Sequence, residues 1–370
     1  MSLSNLLRPT FVSYDPETIT QDNVELYENL VGKHLYPAQP ERLFIDVISY
    51  IECLQRQAIQ EAAEQNLVAY ARDEALDQLG HNVGVARLAA QPATCLVQFT
   101  LREALDYAYQ LPAGLRFQTS DQLFTFETTE PCYFPAGSTQ ASCAAAALTP
   151  GEDANGYLPG SLQIASLPEL VIQATNLTTT SLGAEDEDDE TYRQRIPLAL
   201  EAFSCAGPKL AYRYWAMSAH QSIVDVAVVS PQAGVVQIYP LTSSGTPPEA
   251  LLELIQEAVN DERRRPLTDM VQVLAPQRLE FNIQAQVTIY GSSDRDAILA
   301  QIARHLNEYK TTLSQKMGRD VVPSQISALL QVEGVYEVEL LSPREVLEVD
   351  EHSYAYLTGW EINIGGVIYE

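Results

Sequence analysis

Residues 183–231 read GAEDEDDETYRQRIPLALEAFSCAGPKLAYRYWAMSAHQSIVDVAVVSP, and this stretch divides the chain into two kinds of pattern. It opens with six consecutive acids, Glu185 to Glu190, followed by Tyr192, Arg193 and Arg195. Acids in a first turn and arginines one turn later favour a helix start, through the backbone dipole and i,i+4 pairing. Just before it, Asn176 to Gly183 (NLTTTSLG) reads as a linker. Just after it, Ile223 to Val229 is an apolar, β-branched run typical of a strand. A domain boundary is therefore expected here.

Downstream, strands and helices alternate. Val235 to Tyr239 is strand-like, and Thr246-Pro247-Pro248-Glu249 has capping-box spacing with proline at a first helical position. The helix it predicts carries Leu251, Leu252, Ile255, Ala258 and Val259 and stops before Pro266. Met270 to Leu274 reads as a strand. Leu279, Phe281, Ile283, Ala285, Val287 and Ile289 form the cleanest period-two run, predicting a long half-exposed strand. Ser293 is the expected cap of a helix with Ile298, Leu299, Ile302, Leu306 and Leu313 on one side. A short helix after Pro323 and a strand over Val335 to Leu341 follow. Strands between Tyr354 and Tyr369 either close the last domain or reach a neighbour.

Upstream, turn residues at Gly137, Gly151, Asn155-Gly156 and Pro159-Gly160 separate short apolar runs between Ala93 and Val171, the rhythm of a small antiparallel β domain. Ala144 to Ala147 fits either a helix or a small-residue strand. Glu74 to Leu79 predicts a short helix ended by Gly80. Glu41 to Arg72 contains neither proline nor glycine, and its apolar residues keep helical spacing. Phe44, Val47, Ile51, Leu54 and Ala58 alternate by three and four, like the core positions of a heptad. One helix across the whole span would be ~48 Å long, long enough to invite a partner helix, and two helices broken near Gln65 is the other reading. The fold class expected is α+β multidomain: N-terminal long helices (1–90), a small antiparallel β domain (91–182), then α+β sandwich-like domains (183–275 and 276–370).

The 370 residues are 46% apolar, enough for several cores, with 22 Lys+Arg against 49 Asp+Glu and a formal charge of −27. Such acidity repels phosphate backbones and anionic lipid heads, so no nucleic-acid partner is expected. No apolar run reaches the ~18–20 residues of a membrane span and the start lacks a signal-peptide pattern, so synthesis in the cytoplasm without membrane insertion is expected. The cysteines Cys53, Cys95, Cys132, Cys143 and Cys205 are scattered without a CxxC and read as buried thiols.

Candidate chemistry is sparse. The acidic run has no calcium-loop spacing and reads as a solvated helix start. His220, Ser222 and Asp225 carry the residue types of a hydrolytic triad, but neighbours on one segment rarely converge and no GxSxG elbow exists. His34, His81, His305 and His352 form no metal-type pair, and Cys132 and Cys143 have no second pair to complete a zinc site. Gly151 to Gly160 (GEDANGYLPG) lacks the lysine of a phosphate loop and reads as a turn. Arg263-Arg264-Arg265 complements a helix C-terminus. No catalytic residue, metal or cofactor is predicted.

The stretch 183–231 resembles the signature region of baseplate J-like proteins, wedge components of P2-type contractile phage tails and related injection systems. The resemblance extends to Asp261–Thr268 (DERRRPLT) and Met317-Gly318-Arg319-Asp320. It is also seen at Leu76–Leu88 (LDQLGHNVGVARL), Leu111–Gly114 (LPAG) and Gly151–Gly156. One departure is Leu182-Gly183, where the family often has two glycines, a difference expected to bear on linker flexibility. The resemblance implies a structural, non-enzymatic wedge subunit in a sixfold ring around a central spike and hub. The resemblance further implies that such a subunit couples target contact to sheath contraction. The implied partners are other wedge subunits, neighbouring copies, the spike or hub, and sheath-proximal proteins. N-terminal helices of the family bundle with neighbouring wedge subunits, which makes Phe44, Val47, Ile51, Leu54 and Ala58 the interface stripe. Two rivals are a tail-carried cell-wall hydrolase, which needs a convergent acid pair or triad, and a tail-associated receptor- or glycan-binding module. The second needs exposed aromatics on the β domain, and the 19 tyrosines permit it.

Overall fold

A computed structural model describes residues 6–164, 166–203, 209–261, 265–266, 268–291 and 293–369. The chain forms an α+β protein of two compact units, one made of residues 1–87 and 188–197, the other of 88–187 and 198–370.

The first unit is helical: α1 (Pro16–Val31), α2 (Pro40–Glu64), α3 (Asp73–Asn82) and α4 (Asp189–Leu198). Asp15 caps α1 by accepting the Thr18 N–H, and Gly32 closes it in the left-handed conformation at φ 68°. Helix α2 does not continue to Arg72. It stops after 25 residues, ~37 Å at 1.5 Å per residue. The continuation is replaced by a turn whose carbonyls have a better partner. The Arg193 guanidinium of α4 donates to Val68 O (2.8 Å) and Ala71 O (2.7 Å), while Gln65 Oε1 accepts the Arg72 N–H. Gly80 does not end α3, which runs on to Asn82. The glycine is a packing site instead, because a Cβ there would collide with the phenol of Tyr192. Tyr192 is fully buried, donates to Val85 O at 2.8 Å, and lies beneath the guanidinium groups of Arg87 and Arg195.

In the second unit, β1 (Thr94–Leu101), β2 (Tyr109–Leu111), β3 (Arg116–Thr119), β4 (Thr125–Thr128), β5 (Cys132–Phe134), β6 (Gln140–Ala147), β7 (Leu162–Ile164) and β8 (Val171–Asn176) come first. They form an antiparallel six-stranded sheet in the order β7-β3-β4-β6-β1-β8, with β2 and β5 as a separate ribbon. The alanine run is strand β6, whose buried alternate residues Cys143, Ala145 and Ala147 enter a core with Phe99, Phe117, Phe126 and Phe134. Small side chains there leave room for the phenylalanines.

After a 3-10 turn at Ala199–Phe203 come α5 (Lys209–Met217), β9 (Ile223–Gln232), β10 (Val235–Thr242), α6 (Glu249–Val259) and β11 (Met270–Val273), with sheet order β11-β10-β9. The last segment comprises β12 (Gln277–Tyr290), α7 (Arg295–Ser314), α8 (Pro323–Leu330), β13 (Val335–Ser342) and β14 (Ser353–Ile368), with sheet order β13-β12-β14. Strand β12 buries Ile283, Ala285, Val287 and Ile289 in a core with Ile298, Ile302 and Leu306 of α7 and Ile326 of α8. Strand β14 closes this sheet, pairing parallel with β12 from Gln277↔Ser353 to Tyr290↔Ile368. Two expected caps move. The Thr246 hydroxyl bonds Tyr354 Oη (3.1 Å), so no capping box forms and Pro248 precedes α6 without a side-chain cap. Asp294, not Ser293, caps α7. Of the basic triplet, Arg263 and Arg264 lie outside the described residues, as does Cys205, while the Arg265 N–H donates to Asp261 O at 3.1 Å.

Candidate assembly surface

Helix α2 is amphipathic in the unusual sense. Its buried residues are Ile45 and the polar Ser49, Gln60 and Glu64, and a strap, residues 6–14, lies along the polar ones. An extended segment satisfies none of its own backbone groups, and α2 supplies the partners. The Arg8 guanidinium grips the Glu64 carboxylate at 2.7 and 2.6 Å, and Gln60 Nε2 donates to Pro9 O at 2.7 Å. Gln60 Oε1 accepts from the N–H groups of Phe11 (2.8 Å) and Val12 (3.2 Å). Arg56 donates to Ser13 O and Cys53 to Tyr14 O. From α1, Asn23 Nδ2 donates to Ser49 Oγ (3.2 Å) and Glu52 Oε2 (2.9 Å). The hydrogen bonds from Arg8 and Gln60 hold the Glu64 carboxyl down at about 2.

The opposite side of α2 carries the apolar stripe. At 3.6 residues per turn, Phe44, Val47, Ile51, Leu54 and Ala58 fall on the side away from Ser49, Arg56 and Gln60. Phe44 is 73% exposed, Val47 57%, Ile51 49% and Leu54 47%, and Ala58 is exposed as well. Leu43, Ile48, Tyr50 and Ile59 widen the exposed face beyond the stripe. The heptad spacing picked out the narrow seam and missed these flanks. The signal for them was present in the same helical window, at one-residue offsets from the stripe.

The chemical candidates resolve into structure. His220 and Ser222 do meet, Nδ1 to Oγ at 2.8 Å. The Ser222 N–H also points at Nδ1 (3.2 Å), so the ring proton sits on Nε2 and is donated to Leu182 O at 3.1 Å. Asp225 takes no part: its Oδ1 accepts from Arg213 (2.6 Å) and the Val226 N–H (2.9 Å), and its Oδ2 accepts from the Met317 N–H (3.1 Å). His220 and Ser222 therefore tie to the Leu182 carbonyl apart from Asp225, with His220 held below its ordinary pKa by burial. No group of three or more ligating side chains able to hold a metal occurs among the described residues, Cys132 and Cys143 included.

The acidic run starts α4 and is largely solvated, with Glu185, Asp186, Asp188 and Glu190 exposed, but its carboxylates also hold neighbouring backbone. Glu187 is buried and accepts the Leu88 N–H at 3.0 Å, Asp186 accepts from Ala90 (2.9 Å), and Glu185 accepts from Glu152 (3.2 Å). Asp188 caps α4 through the Glu190 and Thr191 N–H groups, and Asp189 accepts from the Asp73 N–H and Arg87. Their spacing places successive carboxylates on different neighbours, which is why adjacent acids coexist. The glycine-rich segment is a turn that clasps the linker. Asn155 Oδ1 accepts the Gly183 N–H (2.8 Å) and its Nδ2 donates to Gly183 O (2.7 Å), and a Cβ on Gly183 would strike Gly151 O. Leu182 has φ 68°, so the position where the family often has glycine is a left-handed one. The side chain here comes at a cost in backbone strain, and Leu182 packs on the core of α5, α6 and β9.

Comparison with known proteins bears on all of these segments. Family models match four consecutive stretches: the Baseplate J-like N-terminal domain (40–94), barrel domain (96–183), central domain (204–275) and C-terminal domain (281–363). Baseplate protein J of Escherichia phage P2 is 33% identical over 198 residues, a region spanning 53% of this chain and 65% of the length of that relative. A chain in the cryo-electron microscopy structure of the anti-feeding prophage baseplate, 6-fold symmetrised, aligns over 93% of this chain and 90% of its own at 15% identity, with a TM-score of 0.42. With matched models succeeding one another from residue 40 to residue 363, the chain belongs to the baseplate J-like family.

Proposed function

We propose that this protein is a structural, non-catalytic baseplate component of a contractile tail or contractile injection system, and that the outer face of α2 is where it joins neighbouring wedge subunits. The observation that carries the reading is the apolar face itself. Phe44, Val47, Ile51, Leu54 and Ala58 stand in solvent on a helix whose other side is already fixed by polar bonds. An apolar face of this size marks an interaction site on a soluble chain, and a three-four stripe accepts another helix. The similarity to Baseplate protein J of phage P2 supports the baseplate role.

In this reading the chain is made in the cytoplasm and incorporated into a particle. It works as four modules, 1–90, 91–182, 183–275 and 276–370, of which the first is the bundle module. Its partners are other wedge subunits and neighbouring copies in a sixfold ring, the central spike or hub, and sheath-proximal proteins. The ring couples target contact to sheath contraction without nucleic acid or membrane insertion. The net charge of −27 fits the absence of a nucleic-acid surface. No helix among the described residues is long and apolar enough to cross a membrane.

The test is electron microscopy of particles from producing cells lacking the gene, complemented with wild type or with Ile51→Asp. Deletion should remove complete sheathed particles, wild type should restore them, and Ile51→Asp should fail although the purified variant remains folded. Normal particles from the deletion strain would refute the baseplate role and bring the binding-module reading forward. Normal particles with Ile51→Asp would refute only the interface assignment.

A further inference from the structure

Two thiols in the β-sheet core meet in a way the assembly role does not use. Strand β4 pairs antiparallel with β6, Phe126↔Ala147 through Thr128↔Ala145, and the chain continues along β6 with the Thr129 N–H on Ala144 O at 3.0 Å. The Ala144 N–H in turn reaches Glu130 Oε1 at 3.3 Å. The chain then turns at Pro131 into β5, which delivers Cys132 beside Cys143 of β6. The two residues are 1% and 3% exposed, and β5 packs against β6 so that both side chains enter the same phenylalanine-rich core. They belong to different sheets, since β5 pairs with β2 and β6 with β4 and β1.

We propose that Cys132 and Cys143 are a modification site, a dithiol that hydrogen peroxide converts into a disulfide tying the β2–β5 ribbon to the main sheet. Peroxide is small enough to enter during local openings that exclude larger oxidants. The Cys132 sulfur attacks one peroxide oxygen, the O–O bond breaks, and the departing hydroxide takes up the proton that Cys132 lost, leaving water and Cys132 sulfenic acid. The Cys143 sulfur then attacks the Cys132 sulfur. The S–S bond forms, the S–O bond breaks, and the hydroxyl leaves as water with the Cys143 proton. Two thiols and one peroxide give one disulfide and two waters, so the cysteines are oxidised and the peroxide reduced. The S–H of Cys143 lowers the pKa of Cys132 and raises its own, which fits Cys132 as attacking and Cys143 as resolving thiol. Cys95, also in this core, is pushed up to about 12 by burial and stays a bystander. The inference stands independently of the assembly reading, since it concerns only this core.

The competing reading is two small apolar side chains that happen to touch. One experiment separates them. Reduced full-length chain, freed of reductant, is exposed to hydrogen peroxide, quenched with catalase, alkylated in denaturant and cleaved after glutamate. The fragment 131–152 contains both cysteines and no internal glutamate. Before peroxide it should carry two alkyl groups. After peroxide it should carry none in most molecules, and dithiothreitol should restore both. In Cys143→Ala, Cys132 should form no disulfide with any other residue of the chain. Persistent alkylation of both residues, oxygen added to Cys132 without a crosslink, or a link from either residue to Cys95 would each overturn the proposal.

Discussion

Gly80→Ala sets two effects of known size against each other. Alanine is favoured over glycine inside a helix by about 1 kcal/mol, and α3 continues past this residue, so propensity alone predicts stabilisation. Sterically, a Cβ at Gly80 would overlap Oη and Cζ of Tyr192 and sit 3.0 Å from Val85 O. Tyr192 is fully buried and has nowhere to retreat, so the overlap costs about 1–3 kcal/mol. Any retreat also stretches the 2.8 Å bond to Val85 O, and a buried carbonyl left unpaired costs about 1–3 kcal/mol more. The losses less the gain span about 1–5 kcal/mol, and the net expectation is destabilisation at the middle of that range, about 2–4 kcal/mol. A global melt would average over two units, so the readout is hydrogen exchange of peptides spanning 73–87 and 188–197. At 1.4 kcal/mol per factor of ten, exchange there should accelerate roughly 30- to 1000-fold. Adding Tyr192→Phe removes the nearest clashing atom, so the double variant should be less destabilised than the two single variants added together, by about 1 kcal/mol. Slower or unchanged exchange in Gly80→Ala would refute the reasoning and make Gly80 an ordinary helix glycine.

Three further expectations rest on single groups. Asp294 accepts the N–H groups of Asp296 and Ala297, so Asp294→Ala should cost about 1 kcal/mol in urea denaturation and Asp294→Ser much less. His220 has its folded pKa lowered by burial, so its contribution is fully present above the unfolded value of 6.5 and is lost as pH falls through the folded one. Wild type should therefore lose more stability between pH 7.5 and 5.5 than His220→Gln does, and parallel profiles would contradict this. The Glu64 carboxyl, held near 2 by Arg8 and Gln60, stabilises above its usual 4.5 and loses that contribution as pH falls from there toward 2. Arg8→Ala should flatten the acid limb, measured by protease cleavage of the strap.

How legible each element was depended on whether its partners are near in sequence. The β12 run was plain from period two because Ile283, Ala285, Val287 and Ile289 all face one core, and sheet burial has that period. The end of α2 was legible only as one of two readings, the break near Gln65, because the residue that takes the carbonyls of Val68 and Ala71 is Arg193, far along the chain. The buried role of Glu187 was hidden for the same reason, since a carboxylate in an acidic run reads as solvated until its acceptor duty toward Leu88 is known. Gly80 illustrates a third kind of failure: glycine at a helix end and glycine under a phenol are identical in sequence, and only the distant Tyr192 distinguishes them. Of the candidate site, the stripe Phe44 to Ala58 was visible because it is local and helical. Its exposure was not, because periodicity reports that one face is apolar without saying what covers it.

The energetics of that exposure give the stripe its meaning. With exposures of 73, 57, 49 and 47%, Phe44, Val47, Ile51 and Leu54 together leave more than two side chains' worth of apolar surface in water. At about 1.5–3 kcal/mol per fully buried side chain, some 3–7 kcal/mol of burial is forgone on this one face. A folded domain holds only about 5–15 kcal/mol in total, so burial forgone on this scale is what the proposed interface would recover. The other side of α2 explains how the helix stays presented meanwhile. Hydrogen bonds donated to the strap by Arg56 and Gln60, and accepted from Arg8 by Glu64, are directional and fix the helix without using the outer apolar face. Polar anchoring on one side and apolar surface on the other are what the proposed interface rests on. The test of that logic is Gln60→Leu, which should lower wedge assembly although it touches no residue of the stripe.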